Sequence, residues 1–460
     1  MKVIVLGANH LGISLALNLA EENNDVTLVD KDFRLFQDIQ SVFDLRTIVG
    51  QGSHPDILQQ ADAENADMLI ALNDHDEENI IACRIAHTLF DIPTKIAKVT
   101  TRGYLEEKYK LFGKDAIPID VLVSPELSVA KNIKLLIEHP GTLQIAELGG
   151  GQLFMVCAKA HQNGAAVGRT TAQIVQSASG ATVHIAALFR NEKISFTDEQ
   201  TVIQAGDEVF FLAPKAQIAE IMKTLGCDYQ PLKTIMIAGG GQIGMNLAEL
   251  LQNDYKIKLL EPDIARATML AERLGNKVVV LHSDATNENI LIDENIKRTD
   301  MMCAVTSKEE DNILSALLCK HLGANQVLAL INRPSYLELV HLNHVNIDIT
   351  LSPQQAAFAS LLCHVRKGDT VATYTLKHSD AEVIELVVHG DARSSKVVGR
   401  PLSRIRLPTG VKVGMILRGE QVFTATPELV IESEDHVIVF VDSKKHIPNV
   451  EKLFMVTAIY

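Results

Sequence analysis

The residues best suited to chemistry sit in two glycine turns. The first to consider reads IAGGGQIGMN, with Gly239, Gly241 and Gly244 in G-x-G-x-x-G register and Gly240, Gln242 and Ile243 between them. An apolar run precedes the turn, a helical stretch follows it, and Glu261 ends the next apolar run, KIKLLE. Each part suits a pyrophosphate ligand. The first glycine permits the tight turn, the second lets backbone approach the phosphates, and the third lets helix pack on strand. Free N–H groups and the positive end of the helix dipole then face the anion. Glu261 can accept hydrogen bonds from ribose hydroxyls and would repel a 2′-phosphate, which predicts NAD or an adenine nucleotide rather than NADP.

The second turn lies near the start and reads Gly7, Ala8, Asn9, His10, Leu11, Gly12, with Asp30 ending the following apolar run. Here Asn9 replaces the middle glycine. Asparagine tolerates turn geometry, but its side chain is expected to project where a pyrophosphate would approach. The two sites should therefore differ in nucleotide preference, the first being the less NAD-like; an empty first turn is the competing reading. Ligands of open parallel sheets bind at the C-terminal strand ends. That places Gly52 and Ser53 (loop 51–54) and Asn73 and Asp74 beside the first turn. Asp284 (loop 283–286) and Ser307-Lys308 stand beside the second. Lys98, at the end of a further strand, could reach a phosphate. The acidic run Asp74, Asp76, Glu77, Glu78 also reads as a solvated helix start favoured by the dipole. His10 and His54 read as local hydrogen-bonding residues rather than bases.

Two such turns imply two sets of supporting elements, and the chain is indeed written twice. MKVIVLGANHLG returns as KTIMIAGGGQIG, and ADMLIALNDHDEENIIACRIAHTL returns as TDMMCAVTSKEEDNILSALLCKHL. Ser124-Pro125 returns as Ser352-Pro353, Arg190 as Arg418, and Asp207-Glu208-Val209 as Asp435-His436-Val437. A period of ~230 residues is far too long for a solenoid unit and means a duplicated module. Within each copy, short β-branched runs alternate with helical stretches, as a doubly wound parallel sheet requires. Each Ser-Pro pair opens a connector helix, with Gly141 and Gly368 as stops. Hairpin-like runs follow. The expected fold is α/β: two tandem Rossmann-type doubly wound parallel-sheet domains, each followed by a small α+β lobe. The boundaries fall at 1–123, 141–227, 232–350 and 368–454.

Composition narrows the function classes. The chain has 460 residues, 47% apolar and 22% charged, which excludes a disordered or fibrous protein. No window approaches ~18 uninterrupted apolar residues, and the start does not read as a secretory signal. A formal charge of −14 argues against nucleic acid as a partner. The six scattered cysteines form no CxxC pair and read as buried thiols rather than metal ligands.

A glycine turn with an acid after the second strand, a GS or SDAT loop, an acidic segment ending in Asn79 or Asn312, a capped connector and a small lobe together resemble the RCK module, also called KTN. Two in tandem, with IPIDVLVSPE at the first junction, resemble the peripheral regulatory subunits of bacterial Trk-type potassium uptake. The resemblance covers essentially the whole chain. It implies a homo-oligomer, not an enzyme, docked on the cytoplasmic face of the inner membrane against an integral-membrane potassium transporter. Bound NAD(H) or ATP/ADP, the latter particularly at the first site, would gate that transporter. It also implies that residues 7–11 and 239–243 are phosphate turns, that Asp30 and Glu261 are ribose acids, and that Asn73-Asp74 line the first pocket. Relatives often carry arginine where Lys98 stands. The alternative is an NAD-dependent oxidoreductase with two Rossmann halves. Such an enzyme needs a proton donor facing the nicotinamide, and neither copy repeats a His/Asp or Lys/Tyr pair at matched positions.

Overall fold

The computed structural model describes residues 1–36, 45–113, 116–177, 182–227, 229–342, 345–365, 369–376 and 380–456. Gly368, the expected stop of the second connector, lies outside them. The chain divides into two compact units, Met1–Ser128 and Val129–Tyr460.

The first unit is built on six parallel strands: β1 (Lys2–Leu6), β2 (Asp25–Asp30), β3 (Arg46–Val49), β4 (Met68–Ala71), β5 (Thr94–Lys98) and β6 (Val121–Val123). Their order is β3-β2-β1-β4-β5-β6, so the winding reverses between β1 and β4. That reversal opens a crevice at the strand ends, directly above Gly7. Val3 to Leu6 and Met68 to Ala71 are buried without alternation, because helices cover both faces of the sheet. Ile4, Leu6, Leu69, Cys83 and Ala97 share one core with helix Asp76–Phe90. Strand β6 has only three residues, a run with too little periodicity to declare itself in the sequence.

The second unit holds two small lobes and the second nucleotide-type domain. That domain repeats the first sheet with β12 (Thr234–Ala238), β13 (Lys256–Glu261), β14 (Val278–His282), β15 (Met301–Ala304), β16 (Gln326–Leu330) and β17 (Ile349–Leu351). The order β14-β13-β12-β15-β16-β17 again reverses beside the glycine strand.

The first lobe has β7 (Thr142–Leu148), β8 (Leu153–Lys159), β9 (His184–Arg190), β10 (Lys193–Phe196) and β11 (Glu208–Ala213). The second has β18 (Thr370–Thr375), β19 (Glu382–Val387), β20 (Val411–Arg418), β21 (Gln421–Thr424) and β22 (His436–Val441). Both are antiparallel and share one topology, β10-β9-β11-β8-β7 against β21-β20-β22-β19-β18. The repeated Arg and Asp are structural: Arg190 donates twice to buried Asp207 (2.7 and 2.6 Å), and Arg418 donates twice to buried Asp435 (2.7 and 2.8 Å). The two sheets share a core in which Met155 and Leu212 join Val383, Met415 and Phe440. Tyr374 donates to the Glu147 carbonyl (2.9 Å), and Gly149 N–H donates to buried Glu385 (3.0 Å).

Among the described residues no helix is long and apolar enough to cross a membrane. The six cysteines form no disulfide, and five are buried. Burial pushes the Cys83, Cys303 and Cys319 thiols up to about 12, so they are inert packing residues.

Candidate functional site

Gly7 follows β1 with φ +99°, and a Cβ there would press on the Leu72 and Asn73 backbone. Gly12, on the first turn of helix His10–Glu21, lies against the Gly7 carbonyl, where a Cβ would collide. These two glycines are therefore demanded by the turn itself. Asp30, at the end of β2, accepts from Ala8 N–H (2.6 Å) and Asp32 N–H (2.9 Å), locking the turn to the strand beside it.

Asn9 departs from expectation. It caps the helix, its Oδ1 accepting from Gly12 N–H (3.0 Å), and its Nδ2 donates to the Leu72 carbonyl (2.7 Å). The side chain is thus drawn back onto the protein rather than thrown across the phosphate position, because the open helix end and a strand-end carbonyl both offer partners.

Around this turn is a cleft of about 240 Å3. Gly7, Asn9, Asp30, Gly52, Asn73 and Asp74 line it, as the sequence led one to expect. Ala8 is buried beneath it, while His10 and Leu11 begin the helix, His10 exposed. Ser53 is half-buried in its loop, and Gly52 is packed so tightly on Leu6 that a Cβ would strike that side chain. Lys98 is not in the lining; its ammonium stands 3.9 Å from Asp74 and 4.0 Å from Glu126. The lining also includes Lys31, Asp32, Leu35, Gly50, His75 and Glu78. Their sequence signal is position alone: all follow the C-terminal end of a strand.

The acidic run splits by role. Asp76 is buried and accepts from Thr100 N–H (3.0 Å) and Thr101 N–H (2.7 Å). Burial alone would raise its carboxyl, but the bonds from Thr101 and Thr100 outweigh it and hold the group below the ordinary value. Asp74 and Glu77 are exposed, as a solvated helix start requires. Asn79 is fully buried: it accepts from Asn73 N–H (2.9 Å) and donates to the Asn73 and Lys98 carbonyls (3.0 Å each). It staples the ends of β4 and β5 and so fixes the cleft wall.

The second copy repeats the scaffold. Gly239 has φ +109° against Thr306, and a Cβ on Gly244 would collide with the Gly239 carbonyl. Buried Glu261 accepts from Gly240 N–H (2.9 Å) and Asp263 N–H (3.0 Å), with Arg266 at 3.7 Å. Asn312 accepts from Thr306 N–H (2.8 Å) and donates to the Leu330 carbonyl (3.0 Å). Gln242 and Ile243 open helix Gln242–Leu251. The loop pairing shifts by one residue: Gly50 N–H meets the Asp30 carbonyl as Ser283 N–H meets that of Glu261. Asp284 accepts from both Thr286 N–H (2.8 Å) and Thr286 Oγ1 (2.7 Å). Those bonds from Thr286 hold its carboxyl below the ordinary value.

Gly241 differs in kind. Its φ of −67° is open to any residue, and a Cβ there would meet nothing within 4 Å. The protein's own packing gives no reason for the missing side chain.

Fold and site together define a duplicated Rossmann-type protein, each half carrying a phosphate-type glycine turn locked to an acid and followed by a small antiparallel lobe. The TrkA-N domain matches residues 3–125 and 235–353, and the TrkA-C domain matches residues 159–226 and 392–454. The chain belongs to the TrkA family. The Trk system potassium uptake protein TrkA of Halomonas elongata is 45% identical over 456 residues, 99% of each chain. Among solved structures, the GsuK channel bound to NAD superposes with a TM-score of 0.61 at 17% identity, over 98% of this chain and 78% of that one. GsuK bound to ADP gives 0.50 at 15% identity, over 79% and 70%. These two likenesses speak to the fold. With family membership, the reading as an NAD-dependent oxidoreductase falls away.

Proposed function

We propose that the protein is a regulatory subunit that docks on an integral-membrane potassium transporter of the Trk type and gates potassium flux according to bound nucleotide. NAD(H) occupies the second turn, and ATP or ADP is favoured at the first. The observation that carries this reading is Gly241: an exposed helix start beside an acid-locked turn, lacking a side chain that the protein alone would tolerate. The relatives' name, potassium uptake protein, supplies the process. Within each copy, the proposed contacts are the turn residues 7–12 and 239–244, the acids Asp30 and Glu261, and Gly52, Ser53, Asn73, Asp74, Lys98 and Asp284. The domains are those bounded by 1–123, 141–227, 232–350 and 368–454.

Nucleotide binding favours one arrangement of the assembly, and the docked transporter feels the shift as a change in opening probability. The assembly is a homo-oligomer on the cytoplasmic face of the inner membrane. Ile81 and Leu314, at matching positions of helices Asp76–Phe90 and Glu309–His321, are 50% and 58% exposed, and such repeated apolar positions suit subunit contacts. The test is potassium flux into liposomes holding the transporter, with and without this protein and each nucleotide. Nucleotide-dependent flux is expected; flux unchanged under every nucleotide defeats the proposal.

A further inference from the structure

We propose that Lys98 is a clasp shared between the first cleft and the connector helix Pro125–Glu138, and that a nucleotide ending in a free phosphate opens it; this rests on the nucleotide reading above. The Lys98 side chain is only 14% exposed, yet its ammonium makes no hydrogen bond among the described residues. Its two anions stand at the limit of ion pairing, Asp74 at 3.9 Å and Glu126 at 4.0 Å. Glu126 lies on the first turn of the connector helix, and its Oε2 is buried without a hydrogen-bond partner. An enclosed ammonium has three donors and binds acceptors best at ~2.8 Å. Here a cation and a carboxylate each lack close partners and face one another at arm's length.

Asp74, whose side chain is 80% exposed, forms the cleft side of this group. It can swing into solvent at little cost, opening a path from the cleft to Lys98. A terminal phosphate brings a doubly charged acceptor along that path and outcompetes Glu126 for the ammonium. Glu126 is then a part-buried carboxylate stripped of its cation, which is costly, so the first turn of its helix must shift to let it reach water. NAD(H) has both phosphates esterified in its pyrophosphate and offers no such dianion. The clasp therefore distinguishes ATP and ADP from NAD(H).

The second copy lacks it. Leu330 ends β16 where Lys98 ends β5, its carbonyl accepting from Asn312 as that of Lys98 accepts from Asn79. There the connector start is held by a neutral bond, Gln354 N–H to Asn332 Oδ1 at 3.3 Å.

The test is calorimetric titration of the full chain with ATP, ADP and NADH, using the wild type, Lys98→Met and Glu126→Gln. Lys98→Met should weaken ATP by about tenfold or more. Glu126→Gln removes the competitor and should tighten ATP by about three- to tenfold, an effect that a merely structural glutamate would not produce. Hydrogen exchange at the peptide carrying Glu126 should quicken with ATP in the wild type and not in Lys98→Met. ATP binding to Glu126→Gln no tighter than to wild type overturns the clasp and leaves the nucleotide reading intact. A wild-type chain that binds none of the three sinks both.

Discussion

The two glycine turns share a backbone, and at the residue that opens the helix Asn9 stands against Gly241. Asn9 has φ −72° and ψ 173°; Gly241 has φ −67° and ψ −173°. In the first copy the protein satisfies its own helix start, spending Gly12 N–H on the Asn9 side chain. In the second, no side chain among the described residues caps the start. The acids follow the same division. Glu261 is buried and faced by Arg266, whereas Asp30 is only half-buried and lines an open cleft with Lys31. Duplication has kept the scaffold and let the helix starts diverge.

The largest expected effect tests the shared scaffold. Gly244→Val drives a side chain into the Gly239 carbonyl and should cost about 3 kcal/mol or more, seen as early melting of the second nucleotide domain with loss of its NAD binding. Gly12→Val should do the same to the first unit, and an unchanged melting curve in either would refute the packing described.

Next come the acids. Glu261→Ala strands two backbone donors, one of them buried, and should cost about 1–3 kcal/mol by denaturant titration. Asp30→Ala, nearer solvent, should cost less; the reverse order would contradict the burial contrast.

Acid separates the units as well. His139 is pushed down to about 4 by burial and the nearby Lys215, and His184 to about 4 by burial and Lys412; both lie in the second unit. Their folded values fall below the unfolded 6.5, so the unfolded chain binds more protons between those limits. Their contribution is fully present above pH 6.5 and is lost as pH falls toward 4, roughly 1–3 kcal/mol for each. Asp76 in the first unit, with its carboxyl held down, fails only below the ordinary 3.8. Thermal scans from pH 7 to 4 should show the second unit weakening first; simultaneous loss would show that these histidines do not set the difference.

The smallest effect belongs to the exposed surface. The Arg102–Glu106 pair, with both side chains more than half exposed, should be worth about 0.3 kcal/mol in a double-mutant cycle and vanish in salt.

Much of this was legible in the sequence because duplication and turn chemistry are local. The glycine registers, Asp30, Glu261 and the β-branched runs each announce themselves within a few residues, and their sheet positions follow from the winding rule. The cleft wall was less legible. Leu35 carries no motif; only the folded crevice brings it to Gly7. Asn79 and Asn312 were noticed as a shared residue, yet their task of joining neighbouring strand ends depends on hydrogen bonds across 19 and 18 positions. The placement of the Asn9 side chain is not legible locally, because its partner, the Leu72 carbonyl, lies 63 residues away.

In the proposed function, one side chain separates an NAD-type turn from its less NAD-like twin. Asn9→Gly loses a cap worth only a few tenths of a kcal/mol over glycine, and Gly241→Asn meets no obstacle, so both variants should fold. Calorimetric NADH stoichiometry decides the matter. One tight site per wild-type chain, two in Asn9→Gly and none in Gly241→Asn is the predicted result; two equal sites in the wild type would contradict it.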